Sequence, residues 1–426
     1  MRIVIASPYL PWPLTEGGRA AQYRTFEALR DDCAFTLVVP VYTREGLADA
    51  RGFSESFPNV RVEAVRCGDI APARSRYAIV RRAAGKLLKR VFPPTPRAEH
   101  SLQKAAEAVP SYPFSPLYPE FVTAVQEQLA KGCDIFQAEF AGMLTLGPLM
   151  TGRVPSIFVH HQLTFIYARR FLEASEGGSA NAQYITQRMI CEEAAYLNTF
   201  DSAIVFSEVD REALQDFCPA LEVSVSPFPC PEEPPSAAVP FEKPARRFVF
   251  VASERHHPNY DGLQWFMREV WPGIKRILPG ASMEVIGKWS HHGQTSLPNW
   301  KEICFSGFVP DLLKSLQHKI MIVPVWVGSG IRTKILAAWS ASCPVVTTTI
   351  GVEGLPGRSG DHFIVADHAP AFATACIELS QNISEMNRIA GNGLDLVQKH
   401  YSLAAVRKTR LEVYERLLAG QRRPKS

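Results

Sequence analysis

The chain has 426 residues, 46% of them hydrophobic and 21% charged, a globular balance with length enough for two domains. Its net charge of +4 is too small and too dispersed to predict a nucleic-acid partner. Nine cysteines stand singly from Cys33 to Cys376 without a CxxC pair, which argues against a disulfide framework or a cysteine zinc site and predicts reduced thiols in the cytoplasm.

The opening run Arg2 to Ser7, RIVIAS, lacks the long apolar region and cleavage site of a signal peptide, so it predicts a buried strand. No run approaches the roughly 18 apolar residues of a membrane span. Pro8 to Gly18 reads as a loop, Arg19 to Asp31 as a helix and Phe35 to Val41 as the next strand. From Arg74 to Arg97 the chain carries eight Lys and Arg residues and no acid. At helical pitch Val80, Ala83, Ala84, Leu87, Leu88 and Val91 share one face, opposite Arg82, Lys86 and Lys89. That pattern suits a helix lying on an anionic membrane surface, and equally a solvated helix packed on its domain. CDIFQAEF (133–140), PSIFVHH (155–161) and DSAIVFS (201–207) are further strands, with a helix over Ala182 to Leu197. Strands alternating with helices predict a parallel sheet, here an N-terminal domain over residues 1–230.

The proline density from Pro227 to Arg246 forbids helix and central strand, so a connector is expected over 231–246. The alternation then resumes through RRFVFVAS, SMEVIG, EICFSG, IMIVPV, CPVVTT and HFIVAD, with a helix from Asn259 to Ile277. This predicts a second doubly wound domain over 247–400, followed by a terminal helix over 401–426.

In open α/β sheets ligands collect at the carboxyl ends of strands. After IMIVPV, the loop Gly328, Ser329, Gly330, Ile331 leads into a helix whose first turn carries Arg332 and Lys334. Backbone amides at a helix N-terminus and two cations favour an anion such as a diphosphate, although an ordinary turn with two exposed cations has the same sequence. Gly17 and Gly18 permit a similar close approach of backbone to ligand at the N-terminal edge.

Together these stretches resemble the GT-B retaining glycosyltransferases of family 4, or group 1, which include sucrose synthase and bacterial polysaccharide and lipid-sugar transferases. The resemblance rests on HHPNYDGLQWF, FSGFVPDLLKSL, VPVWVGSGIRTKILAAWSASCPVVTTTIGVEGL and HYSLAAVRKTRLEVYERLL, in that order. More loosely it includes Gly17-Gly18, DIFQAEF, IFVHHQLTFIYARR and SEVDREAL. It implies an α/β fold of two Rossmann-like domains facing across a cleft. A nucleotide sugar would lie on the C-terminal domain, and a glycan, lipid-linked or other hydroxyl acceptor would enter from the N-terminal one.

Carried over by motif, Gly328 to Ile331, Arg332 and Lys334 would hold the diphosphate. Phe308 and Val309 would contact the base, and Arg255 would stand near the position where the family keeps a phosphate-binding cation. Gly17 and Gly18 would form the acceptor-side phosphate loop. His161, with His160 as its rival, would lie by the transferred sugar. The absence of a DxD motif and of carboxylates spaced to partner the three HH pairs implies a site without metal or other cofactor. One departure matters. Ala337 stands where the family keeps a ribose-binding glutamate, a loss of about 1.5–3 kcal/mol of donor binding. The enzyme would tolerate the loss, or Glu353 would reach the ribose rather than merely cap a turn, or the chain would be a degenerate partner subunit that binds a nucleotide or glycan. A nucleotide-sugar epimerase would need acid and base carboxylates with no evident place in the sequence.

Overall fold

The structure, a computed structural model, describes residues 1–14, 17–68, 116–230 and 232–421. The basic segment Arg74 to Arg97, and with it the expected membrane contact, lies outside the described residues. Among those described, no helix is long and apolar enough to cross a membrane.

Two all-parallel sheets organise the chain. The first contains β1 (Arg2–Ala6), β2 (Ala34–Val41), β3 (Val60–Arg66), β4 (Ile135–Glu139), β5 (Ser156–Val159), β6 (Ser202–Val205) and β7 (Glu222–Val225), in spatial order β3-β2-β1-β4-β5-β6-β7. The second contains β8 (Arg247–Val251), β9 (Ser282–Ile286), β10 (Ile303–Gly307), β11 (Ile320–Val323), β12 (Val345–Thr347) and β13 (Ile364–Val365), in order β10-β9-β8-β11-β12-β13. Central strands are buried along their length because crossover helices cover both faces: all four residues of β11 are buried, as are all five of β4.

Both orders reverse direction once, between β1 and β4 and between β8 and β11. A crevice forms at the carboxyl ends of the strands at such a reversal. The two reversals lie opposite each other, since the loop after β1 meets the loop after β11: a Cβ added to Gly17 would stand 3.1 Å from the Thr333 side chain.

The connector is laid over the second lobe rather than hanging free. Val239 N–H donates to Ser342 Oγ at 3.0 Å, and Phe241 N–H to Asn387 Oδ1 at 2.7 Å. The last helix, Leu403–Gln421, returns to the first lobe and packs on the helix Gly17–Ala28. There Arg407 holds Asp32 through two 2.7 Å hydrogen bonds.

Candidate functional site

Sharp backbone turns shape the loop after β11. Gly330 takes φ +74, and a Cβ there would sit 3.0 Å from the His161 carbonyl oxygen, so backbone conformation and close approach both require glycine. Ser329 Oγ donates to the Leu163 carbonyl at 3.0 Å, fastening the loop to the first lobe. The helix Thr333–Ser340 follows, its first residue facing Gly17 of the first lobe.

Two cations lie in this turn, neither in bulk water. Arg332 is 9% exposed and donates from Nη1 to the Gly330 carbonyl and from Nη2 to Ile350 O, the latter at 3.2 Å. Lys334 donates to Asn259 Oδ1 at 2.7 Å, with Nζ 4.3 Å from the Phe250 ring centroid. Burial pushes Lys334 down to about 7, and the Arg332 charge adds to the effect. Burial also lowers Arg332 to about 10, with Glu353 and Asp210 opposing and Arg170 reinforcing the shift. The result is a desolvated cationic corner whose lysine is held by a neutral amide and an aromatic face.

The first lobe contributes the helix Thr164–Glu176, which reaches across the crevice. Its Arg170 grips Glu353 through bonds of 2.5 and 2.6 Å and also donates to Gly328 O at 2.6 Å. On the same helix Tyr167 lies 6.3 Å from the His256 ring. Buried Asp210 accepts from Ser207 Oγ at 2.7 Å and lies near Arg332, with burial raising its carboxyl above the usual range.

Beside Gly330, the two histidines face inward. His160 Nε2 meets Glu193 at 2.5 Å, and His161 Nε2 meets Glu139 at 2.8 Å. Burial holds the His161 imidazole below its ordinary value; Arg410 and His160 add to this, while Glu139 opposes it. Burial alone would raise Glu139, but the hydrogen bond from His161 and the Arg410 charge outweigh it, so its carboxyl sits low. A neutral His161 therefore donates Nε2–H to an ionised Glu139. Its other nitrogen, Nδ1, is buried without a hydrogen-bond partner among the described residues. Both ring nitrogens of His161 thus lie within the protein, Nε2 on Glu139 and Nδ1 beside no polar partner among the described residues.

The other sequence-derived residues divide. Gly17, Gly18, Gly328, Ser329, Gly330, Ile331, Arg332, Lys334 and Glu353 come together around the crevice. Both Glu353 oxygens are taken by Arg170, so Glu353 does not present a free carboxylate to a ribose. Phe308 is 82% exposed, following Gly307 at φ +64, while Val309 packs partly into the core. Arg255 is exposed, and among the described residues no hydrogen bond or ion pair joins it to the cluster. Ala337 is 2% exposed and belongs to the core. Among the described residues there is no group of three or more His, Cys, Asp or Glu side chains able to hold a metal ion.

Sequence reasoning did not single out Arg170, Asn259, Glu139 or Asp210. A signal for Glu139 was available, since Gln137 and Glu139 are polar residues two apart inside an otherwise apolar strand.

Comparison with known proteins agrees with the two-lobed architecture. Residues 245–382 match the family described as glycosyl transferases group 1. Sucrose-phosphate synthase from Thermosynechococcus elongatus superposes with a TM-score of 0.67 at 14% identity, covering 99% of this chain and 100% of that one. HepE of Anabaena, solved with UDP and glucose, gives 0.63 at 12% identity over 98% and 100%. These likenesses establish a GT-B fold. A 163-residue stretch is 28% identical to an uncharacterized 44.6 kDa protein in the cps region of Klebsiella pneumoniae, covering 36% of this chain and 42% of that relative.

Proposed function

We propose that this chain transfers a sugar from a nucleotide-diphosphate donor to a hydroxyl of a glycan, lipid-linked or other acceptor. The transfer proceeds with retention, without a divalent metal, in the synthesis of a cell-surface polysaccharide or glycoconjugate. One observation carries the reading: two cations drawn largely out of water, buried Arg332 and half-buried Lys334, stand side by side at a helix N-terminus in the crevice between the lobes. Such a corner favours a ligand whose negative charge grows as the reaction proceeds, as on a departing nucleoside diphosphate. Fixed cations and helix amides do there what a divalent ion does at other diphosphate sites. The departing phosphate takes the acceptor proton, so the protein's main tasks are to hold the acceptor hydroxyl beside the anomeric carbon and to stabilise the leaving group.

The exposed Phe308 and the edge after β10 offer a surface for the base. The helix start at Gly17 and Gly18, across from Thr333, is the side from which the acceptor enters. The polysaccharide context draws support from the cps-region relative. HepE, solved with UDP and glucose, makes uridine nucleotides the first probes.

A second reading, a donor-binding partner subunit without turnover, is favoured by Ala337 and by the engagement of Glu353 with Arg170, which leave the ribose no free carboxylate from these positions. One assay separates the two. The purified chain is incubated with UDP-, GDP- and ADP-sugars, and nucleoside diphosphate release is followed beside thermal shift. Slow release that Lys334→Met abolishes supports transfer, binding without release supports the partner subunit, and no binding by any nucleotide overturns both.

A further inference from the structure

An unbroken line of buried hydrogen bonds joins the closing helix to the crevice. Tyr414, wholly buried on Leu403–Gln421, donates its hydroxyl to Gln137 Oε1 at 2.7 Å. Gln137 Nε2 donates to Glu139 Oε1 at 2.6 Å, and His161 Nε2 shares the other carboxylate oxygen at 2.8 Å. Donors thus arrive at Glu139 from both sides, as an ionised carboxylate requires. Arg410, 1% exposed and one helical turn before Tyr414, lies beside Glu139; its Nε and Nη1 make no hydrogen bond among the described residues. The charged or titratable groups facing His161 are therefore Glu139 from β4, Arg410 from the closing helix and His160 beside it in the chain.

The far end of the line touches the ligand crevice. The His161 ring stacks on Phe140 with centroids 3.8 Å apart and planes 12° from parallel. Phe140 takes φ 68 and ψ 146, a backbone region that side-chain-bearing residues rarely occupy and that persists only where the surroundings enforce it. Its ring in turn meets Gly18, where an added Cβ would lie 2.7 Å from Phe140 Cε1. The His161 carbonyl abuts Gly330. Moving the imidazole therefore moves the walls on both sides of the crevice.

We infer that the closing helix is a working part of the site: Tyr414, acting through Gln137 and Glu139, is a positioning residue that fixes the orientation and tautomer of His161. The inference deepens the glycosyl-transfer reading, and its rate arm rests on that reading. A helix that merely covers the first lobe needs no polar line running to the crevice, since an apolar contact would serve with fewer buried groups to satisfy.

The test uses the full chain with isotope-labelled histidine, the His161 resonances being identified by their loss in His161→Gln. Tyr414→Phe removes one oxygen, and Gln137→Met breaks the same line from the other side without depending on the first variant's folding. In the wild type, His161 is expected as the neutral Nε2–H tautomer at neutral pH. Either variant should expose exchange between tautomers and lower kcat for donor hydrolysis about tenfold, leaving the donor KM within about twofold. The double variant should be no worse than the worse single one, because both cut one chain. Unchanged His161 resonances in both variants, or losses that simply add, overturn the inference. If the wild type processes no nucleotide sugar, the functional reading fails on its own, and the resonances still decide whether the helix positions His161.

Discussion

Lys334 loses its proton near neutrality in the folded chain, because burial and Arg332 lower its value to about 7 from an unfolded value near 10.4. The sign of the linkage follows. Between these values the unfolded chain binds more protons, so stability should rise as pH climbs from about 7 toward 10 and be least where the buried lysine is charged. Thermal unfolding across that range should show the rise, and Lys334→Met should remove it. An anion reverses the preference by favouring the charged lysine, so nucleoside diphosphate binding at about pH 8 should take up a proton. Calorimetry in two buffers of different ionisation heat measures that uptake, and Lys334→Arg should abolish it while keeping affinity. Ala337 bears on the same corner. Because it is 2% exposed in the core, Ala337→Glu should cost about 3 kcal/mol or more by burying a carboxylate, with no gain in nucleotide affinity. A tenfold tighter nucleotide with an unchanged melting temperature would show that the position opens onto the ribose after all.

The helix Thr164–Glu176 and the segment around Glu353 meet across the crevice, and their contact is charged rather than apolar. Arg170 and Glu353 are 19% and 24% exposed, form a two-point ion pair, and keep the lobes in register at the glycine loop. A cycle of Arg170→Met, Glu353→Gln and the double variant should give a coupling of about 1–2 kcal/mol in urea unfolding, shrinking in high salt because the pair is part-exposed. Absence of coupling would mean that packing alone sets the lobe contact. Central elements were readable in the sequence because their physics is local: β1, β8 and β11 are apolar runs between turn signals, broken only by a leading Arg in β1 and β8, and β4 is interrupted only by Gln137 and Glu139. The strands that escaped notice, β3 and β7, are the two edges of the first sheet, where VRVEAVR and EVSV interleave polar residues. The helix predicted from Arg19 begins at Gly17, so the paired glycines form its first turn. The helix predicted over Asn259–Ile277 spans His257–Ile277, with a wider π turn at Phe266–Val270. Ser342 takes φ 53, a left-handed conformation, and accepts a hydrogen bond from the connector at Val239. The cationic corner was likewise legible, being contiguous in sequence. Arg170, Asn259 and the Tyr414 line were not, because each acquires its role from a partner more than 70 residues away.

At the scale of the molecule, the chain's return makes the two lobes interdependent. The closing helix presents Val406, Val413, Tyr414 and Leu417 to the interior, each at most 6% exposed. It adds the Arg407–Asp32 pair and a 3.2 Å bond from Arg416 to Ser224, all made to the first lobe by the last segment of the described chain. A first lobe lacking this helix would expose that apolar surface and leave buried Gln137 without the Tyr414 hydroxyl, a loss too large for a marginally stable unit to absorb. The second lobe keeps its own sheet, its connector contacts and the cationic corner. Intact protein should therefore unfold in one transition, raised by a bound nucleoside diphosphate by about 2.7 kcal/mol at a hundred times its Kd. A chain ending at His400 should unfold in two. The lower transition should belong to the first lobe and be insensitive to nucleotide, and the upper one should still rise with it. Calorimetry with and without UDP reads both, and limited proteolysis should cut the shortened chain first within residues 1–230. A single nucleotide-sensitive transition in the shortened chain would show that the lobes are joined through Arg170 and the glycine loop strongly enough to make the closing helix dispensable for folding.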